Sequence, residues 1–210
     1  MKTIAFVAAL ALAPGLGLGL GTSAQAATNL VANGSFEAGP GGLGSFSGWQ
    51  TAFGDAATFV DSSGQTGPHP GQASDGLWSA YVGSTASSGG ASLSQSLGTV
   101  AGQAYLLTFD LANDNAGSAA ANGLLVTVGG TTAFSFSNLG VQDYAHLQYA
   151  FTASAGITLL TFAGYNDTGY LQLDKVSVTA VPEPAGAALL LAGLIGLGAL
   201  NGLGLRRQAR

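Results

Sequence analysis

Between Asn29 and Thr179 the apolar residues recur at every second position, in short runs broken by Gly, Asn, Asp and Ser. No long stretch in this region has a helical period, so the chain has to build its core from extended strands. The clearest run is 104–111, where Tyr105, Leu107, Phe109 and Leu111 share one face of an extended chain. In 91–97, Leu93 and Leu97 alternate with Ser92, Ser94 and Ser96. The runs 124–128 and 131–136 flank Gly129-Gly130, which predicts a hairpin. Further strands are expected at 57–60, 77–82, 144–152, 157–162 and 170–179, with a short strand and turn in 29–37. The loop 39–48 is glycine-rich and delivers Trp49, read as a core residue. Nine or ten strands at this spacing predict an all-β fold, a β-sandwich of the jelly-roll kind. In the last strand, Leu171 and Leu173 have one parity and Val176 and Val178 the other. One extra residue has to be absorbed between them, which predicts a β-bulge near Asp174-Lys175.

The two ends of the chain read differently. Met1-Lys2, an apolar stretch from Thr3 to about Gly21, and Ala24-Gln25-Ala26 form a secretory signal peptide over 1–26. At the other end, Pro182-Glu183-Pro184 precedes 185–205, which contains no charge, and then Arg206, Arg207 and Arg210. At ~1.5 Å per residue that stretch makes a helix about 30 Å long, the thickness of a bilayer's hydrocarbon core. The arginines would hold its end at the cytoplasmic face. This arrangement over 181–210 resembles the PEP-CTERM sorting signal. The resemblance implies processing by an exosortase at or near Pro182-Glu183-Pro184, after export through the Sec translocon and cleavage by signal peptidase. It also implies an association with exopolysaccharide and biofilm matrix. The protein would be anchored in the inner membrane in transit and then reach the cell surface or the matrix. Asn201, Gly196, Gly198 and Gly202 make the helix less apolar than a permanent anchor, which suits a segment later removed.

The region between, 27–180, is long enough for one domain with its own core. Glu37, Asp55, Asp61, Asp75, Asp110, Asp114, Asp143, Asp167 and Asp174 face Lys175 as the single basic residue, a net charge of −8. Such a surface repels phosphate backbones, so nucleic acid is excluded as a partner, and divalent cations and neutral ligands suit it better. There is no cysteine, so disulfides take no part in its stability.

Asn29-Leu-Val-Ala-Asn-Gly-Ser-Phe-Glu37, a tryptophan about a dozen residues on, and Leu173-Asp-Lys-Val-Ser-Val178 resemble the galactose-binding-like jelly rolls. Carbohydrate-binding modules found beside glycoside hydrolases belong to that group. The resemblance implies neighbouring first and last strands with a structural Ca²⁺ between them. Carried over by residue, Glu37 and Asp174 become its ligands, with carbonyl oxygens completing the shell. Hard oxygen donors are what calcium takes. The plain alternatives are that both are solvated surface acids, or that Asp174 pairs with neighbouring Lys175.

Neutral sugars are held by aromatic faces and by amide or carboxylate groups. Trp78, Tyr81 and Tyr144 are the aromatic candidates, with Asn113 and Asp114 as polar assistants; Trp49, Tyr149, Tyr165 and Tyr170 complete the supply. Catalysis has little support: there is no Gly-x-Ser-x-Gly elbow and no His pair at metal spacing, and 110–121 fails the EF-hand pattern at Ala112 and Ala121. The expected function is a non-catalytic, exported polysaccharide-binding module. The alternatives are a structural matrix protein that contacts other proteins or other copies, and, third, a small glycan hydrolase.

Overall fold

The computed structural model describes residues 28–40, 44–62, 73–114 and 121–182. The leader 1–26, Asn115, His69, Glu183, Pro184, the segment 185–205 and Arg206, Arg207 and Arg210 lie outside the described residues, and Pro182 is exposed at their edge. Among the described residues no helix is long and apolar enough to cross a membrane.

Among the described residues ten strands form two antiparallel sheets: β1 (Gln50–Phe53), β2 (Thr58–Asp61), β3 (Ser79–Val82), β4 (Ala91–Gly98), β5 (Ala104–Asn113), β6 (Asn122–Val128), β7 (Thr131–Ser137), β8 (Gln142–Thr152), β9 (Ile157–Asn166) and β10 (Leu171–Ala180). The first sheet has the order β1-β4-β9-β6-β7 and the second β2-β3-β10-β5-β8. The expected alternation holds where it was strongest. Tyr105, Leu107, Phe109 and Leu111 are all buried, facing Leu93, Leu97, Leu124, Val126, Leu160 and Phe162 across the sandwich. Phe109 meets Phe162 at 5.2 Å and Phe134 at 5.4 Å, both edge-on. Trp49 is a core residue, stacked on Phe36 at 5.8 Å.

The β6–β7 hairpin turns through Gly129 and Gly130 at φ 57° and 82°, the left-handed pair that a two-residue turn of matching twist requires. The loop expected to end at Trp49 instead continues into the exposed edge strand β1. With all four residues exposed, β1 carries no alternation for a sequence reading to detect. Expected 77–82 begins at Ser79, leaving Trp78 ahead of the strand.

The bulge in β10 is present. Its register with β5 shifts between Asp174 and Ser177, and Lys175 has φ 54°. The extra residue keeps Leu171, Leu173, Val176 and Val178 all buried. It also turns the Val176 N–H outward, where it donates to the Gly34 carbonyl at 2.9 Å. The 29–36 segment is laid along this end of β10: Leu30 N–H donates to the Val178 carbonyl, and Asn29 Oδ1 accepts from Val178 and Val31. On its other side the segment is tied to the first sheet by buried Gln95, whose amide accepts from Ala32 N–H and donates to the Ala32 and Gly48 carbonyls.

A Cβ on Gly34 would lie 1.9 Å from the Val176 carbonyl oxygen. Gly34→Ala therefore pushes the segment off the bulge, and we expect it to lower unfolding free energy by about 3 kcal/mol. Urea titration of both proteins checks this; a loss under about 1 kcal/mol means that the contact is dispensable.

Candidate functional site: a groove across the first sheet

The outward face of the first sheet carries a row of side chains that crosses every strand and is small on all of them but β6. Ala52, Ser92, Ala163, Leu125 and Ser135 sit opposite one another in register from β1 to β7. A strip this low leaves a channel between higher walls. The result is an open groove of about 610 Å³. Phe53 closes the β1 end, but it pairs with buried Ala91, so its side chain has core-side parity and its ring packs on Phe46 at 5.3 Å. Tyr165 on β9 lies opposite Gly123 on β6, and a Cβ on Gly123 would come within 2.8 Å of the tyrosine ring. The glycine thus lets the ring lie flat in the groove floor.

The remaining wall is the 85–90 turn, and two carboxylates fix it. Asp55 accepts from the amides of Ala57 and Thr85 at 2.9 and 3.1 Å, and Asp167 accepts from Ala86 N–H at 2.8 Å. The amide donors hold the Asp55 carboxyl well below the usual carboxylate range. Gly54 N–H donates to the Gly90 carbonyl and joins the wall to the end of β1. Neither acid lines the groove. The lining residues are uncharged and offer the outward Tyr165 ring and the hydroxyls of Ser92, Ser135 and Tyr165. This chemistry suits a neutral, hydroxyl-bearing ligand lying across the strands.

The five residues first read as ligand candidates lie elsewhere. Tyr81 is 1% exposed and stacked on Phe59 at 5.4 Å. Tyr144 is half-buried; its hydroxyl donates to Gln172 Oε1 at 3.3 Å, and burial pushes its pKa well above the usual tyrosine value. Gln172 Nε2 reaches Asp114 Oδ2 at 3.4 Å, and Asp114 Oδ1 accepts from Tyr170 N–H at 2.6 Å. Asn113 is fully buried, donates to the Leu139 and Gly140 carbonyls and accepts from Asn166. Trp78 is half-buried, and a Cβ on Gly44 would come within 2.5 Å of its indole. Tyr144 and Asp114 thus belong to a hydrogen-bonded layer on the outer side of the second sheet, Tyr81 to the aromatic packing beside it, Asn113 to a buried hydrogen-bonded group and Trp78 to packing. Tyr165 was in the sequence's aromatic supply; Phe53 was not.

Glu37 and Asp174 grip one short segment from two sides. Glu37 Oε1 accepts from the amides of Leu77 and Trp78, each at 2.7 Å. Asp174 Oδ2 accepts from Asp75 N–H at 2.9 Å and Ser74 Oγ at 3.2 Å, and its Oδ1 from Lys175 N–H at 2.7 Å. Asp174 is fully buried, and burial pushes its carboxyl up to about 6 against the pull of those amide donors. Among the described residues no group of three or more His, Cys, Asp or Glu is placed to hold a metal.

The fold is similar to several solved structures. The Stig cyclase Fisc from Fischerella sp. TAU, in complex with (3Z)-3-(1-methyl-2-pyrrolidinylidene)-3H-indole, is 21% identical with a TM-score of 0.55, over 75% of this chain and 100% of that one. TmCBM61, in complex with beta-1,4-galactotriose, is 17% identical with a TM-score of 0.53, over 73% of this chain and 99% of that one. The N-terminal CBM22-1–CBM22-2 tandem domain of Paenibacillus barcinonensis Xyn10C is 19% identical with a TM-score of 0.50, over 77% of this chain and 47% of that one. At these identities the shared property is the sandwich fold, which resembles the jelly rolls of carbohydrate-binding modules. No family model and no curated protein matches the chain.

The raised Asp174 carboxyl fixes a sign for pH dependence. The folded protein binds this proton more tightly than the unfolded chain, whose value is near 3.8, so the associated stability is complete below that value. It is lost as pH rises through about 6. In EDTA, we expect stability to fall by up to about 3 kcal/mol between pH 4 and 7 on this account. Asp174→Asn removes that component; equal pH slopes for the two proteins in denaturant titrations contradict it.

Proposed function

We propose that the groove on the first sheet binds a chain of neutral sugar residues, and that the protein is a polysaccharide-binding module with no chemistry of its own. The observation that carries this reading is the groove's composition. It is open and uncharged, with small side chains along most of its row and the Tyr165 ring in its floor. Sugar rings present apolar C–H faces to aromatic carbons and hydroxyls to serine and backbone groups, so such a groove meets both halves of their surface. The similarity of the fold to TmCBM61, solved with a galactotriose, supports the reading as an analogy of fold.

The sequence signals at both ends extend the proposal to a place. An exported protein sorted by exosortase and held at the cell surface or in the matrix would meet exopolysaccharide there. An uncharged groove suits that setting, because binding through it does not depend on screening by salt.

The wild-type protein should be retarded in native gels containing a neutral polysaccharide, tested across galactan, xylan and β-glucan, with retardation unchanged in high salt. Tyr165→Ala should weaken binding at least tenfold, about 1.4 kcal/mol, with circular dichroism unchanged. Absence of retardation in every neutral polysaccharide, or full binding by Tyr165→Ala, overturns the assignment.

A structural calcium ion at Glu37 and Asp174 belongs to the same proposal. Its support is Asp174, a fully buried carboxylate whose hydrogen-bond partners among the described residues include no basic side chain. An ion beside it would supply the missing positive charge, and carbonyl oxygens would have to complete the shell. Millimolar Ca²⁺ should then raise the melting temperature by several degrees, EDTA should reverse the rise, and Glu37→Ala or Asp174→Ala should abolish it. A melting curve indifferent to calcium removes the ion from the account.

A further inference from the structure

The charges of this protein are divided unevenly between its two sheets. None of the strands of the first sheet contains Asp, Glu, Lys, Arg or His. In the second sheet both edge strands are charged: β2 ends in Asp61, and β8 carries Asp143 and His146. Charge on an edge is a common protection against pairing with another chain. The protein thus guards the edges of one sheet and leaves β7 in the other without charge, proline or glycine.

The flank where β7 lies is also incompletely closed. Phe134 and Phe136 on β7, and Leu147, Tyr149 and Phe151 on β8, pack against the core yet stay only partly buried. Phe134 stacks on Phe136 at 5.8 Å and meets Tyr149 edge-on at 6.1 Å, so the two edge strands share one aromatic flank. A cleft of about 230 Å³ opens between the sheets beside Thr131, Tyr149 and Phe151.

We infer that a second copy of this chain docks on this flank, β7 against β7. Two features select a copy over another partner. The first is the pattern of the free edge. The register with β6 shifts between Val126 and Thr127, which leaves Ala133 as the extra residue and makes the edge regular from Phe134 onward. There the sequence Phe134-Ser135-Phe136 reads the same in both directions. Antiparallel pairing centred on Ser135 sets each phenylalanine opposite its counterpart and keeps both on the core side, as an isologous two-fold contact requires. The second is charge. Two domains of net charge −8 repel wherever their acids meet, and the strands of the first sheet are where those acids are absent.

Antiparallel pairing of edges requires a two-fold axis perpendicular to the sheet. Both outward faces then point the same way, and the small-residue row ending at Ser135 continues into the partner's row. The dimer therefore presents one doubled groove. The contact itself stands on the edge and the flank, independently of what the groove binds.

Sedimentation equilibrium of the wild-type protein tests this, with no polysaccharide present. A concentration-dependent monomer–dimer equilibrium is expected. Ser135→Lys sets two like charges face to face on the axis and should weaken the dimer at least tenfold. Thr161→Lys adds the same charge to the same outward face but on the central strand β9, and should leave the dimer intact. A wild-type protein that stays monomeric at every concentration overturns the proposal. So does a dimer that survives Ser135→Lys, or one that Thr161→Lys disrupts equally.

Discussion

One extra residue in β10 is the constraint on which most of this architecture depends. Lys175 takes a left-handed conformation that few side chains adopt, and the ladder to β5 breaks there for one step. Without that step Val176 and Val178 would face outward and the sandwich would lose two of its core residues. The same step frees the Val176 amide for Gly34 and so seats the first segment of the domain. It also sits beside Asp174, whose carboxylate gathers Ser74 and Asp75. Core, first segment and the 74–78 loop are thereby set by one local irregularity.

The two outward faces of the sandwich are built on opposite principles. On the second sheet, Asp110 and His146 pair at 2.6 Å, while Tyr144, Gln172 and Asp114 form a chain, so polar groups there are held by one another. Such a layer is committed to structure, because these groups already hold one another. On the first sheet the outward row is Ala, Ser and Leu, which compete for nothing and leave surface available. The asymmetry explains how an acidic protein can carry an uncharged groove.

This division also explains what could be read from the chain. Alternation revealed β4 to β10 because each buries one face, and the change of parity between Leu173 and Val176 revealed the bulge, since burial leaves its mark on residue choice at period two. The glycine pair announced the β6–β7 turn through its φ requirement. Exposed β1 buries nothing and left no mark. Asn113, Asp114 and Tyr81 drew attention as polar or aromatic residues near loops, but the sequence does not show that all three are buried. The groove was hidden for the opposite reason. It is made of absences of bulk, at Gly123, Ala163 and Ser92, and only the register across strands lines them up. A small residue repeated at outward positions of adjoining strands was the available signal, and it requires the pairing to be known first.

The placement of β10 has a mechanical consequence. It is the middle strand of its sheet, hydrogen-bonded to β5 along most of its length and flanked on the other side by β3 and then the 29–34 segment. At its end Val181 is clasped as well, donating to the Ala104 carbonyl and accepting from Gln103. Tension applied to the chain at Val181 and running along the strand would be borne by these rows of hydrogen bonds together, in shear, and could not peel them one at a time. A force on the groove face reaches β10 through the packed core and through the 167–170 connection from β9. The sandwich is therefore strapped along β10, with its rows of hydrogen bonds resisting load best in the direction of the chain.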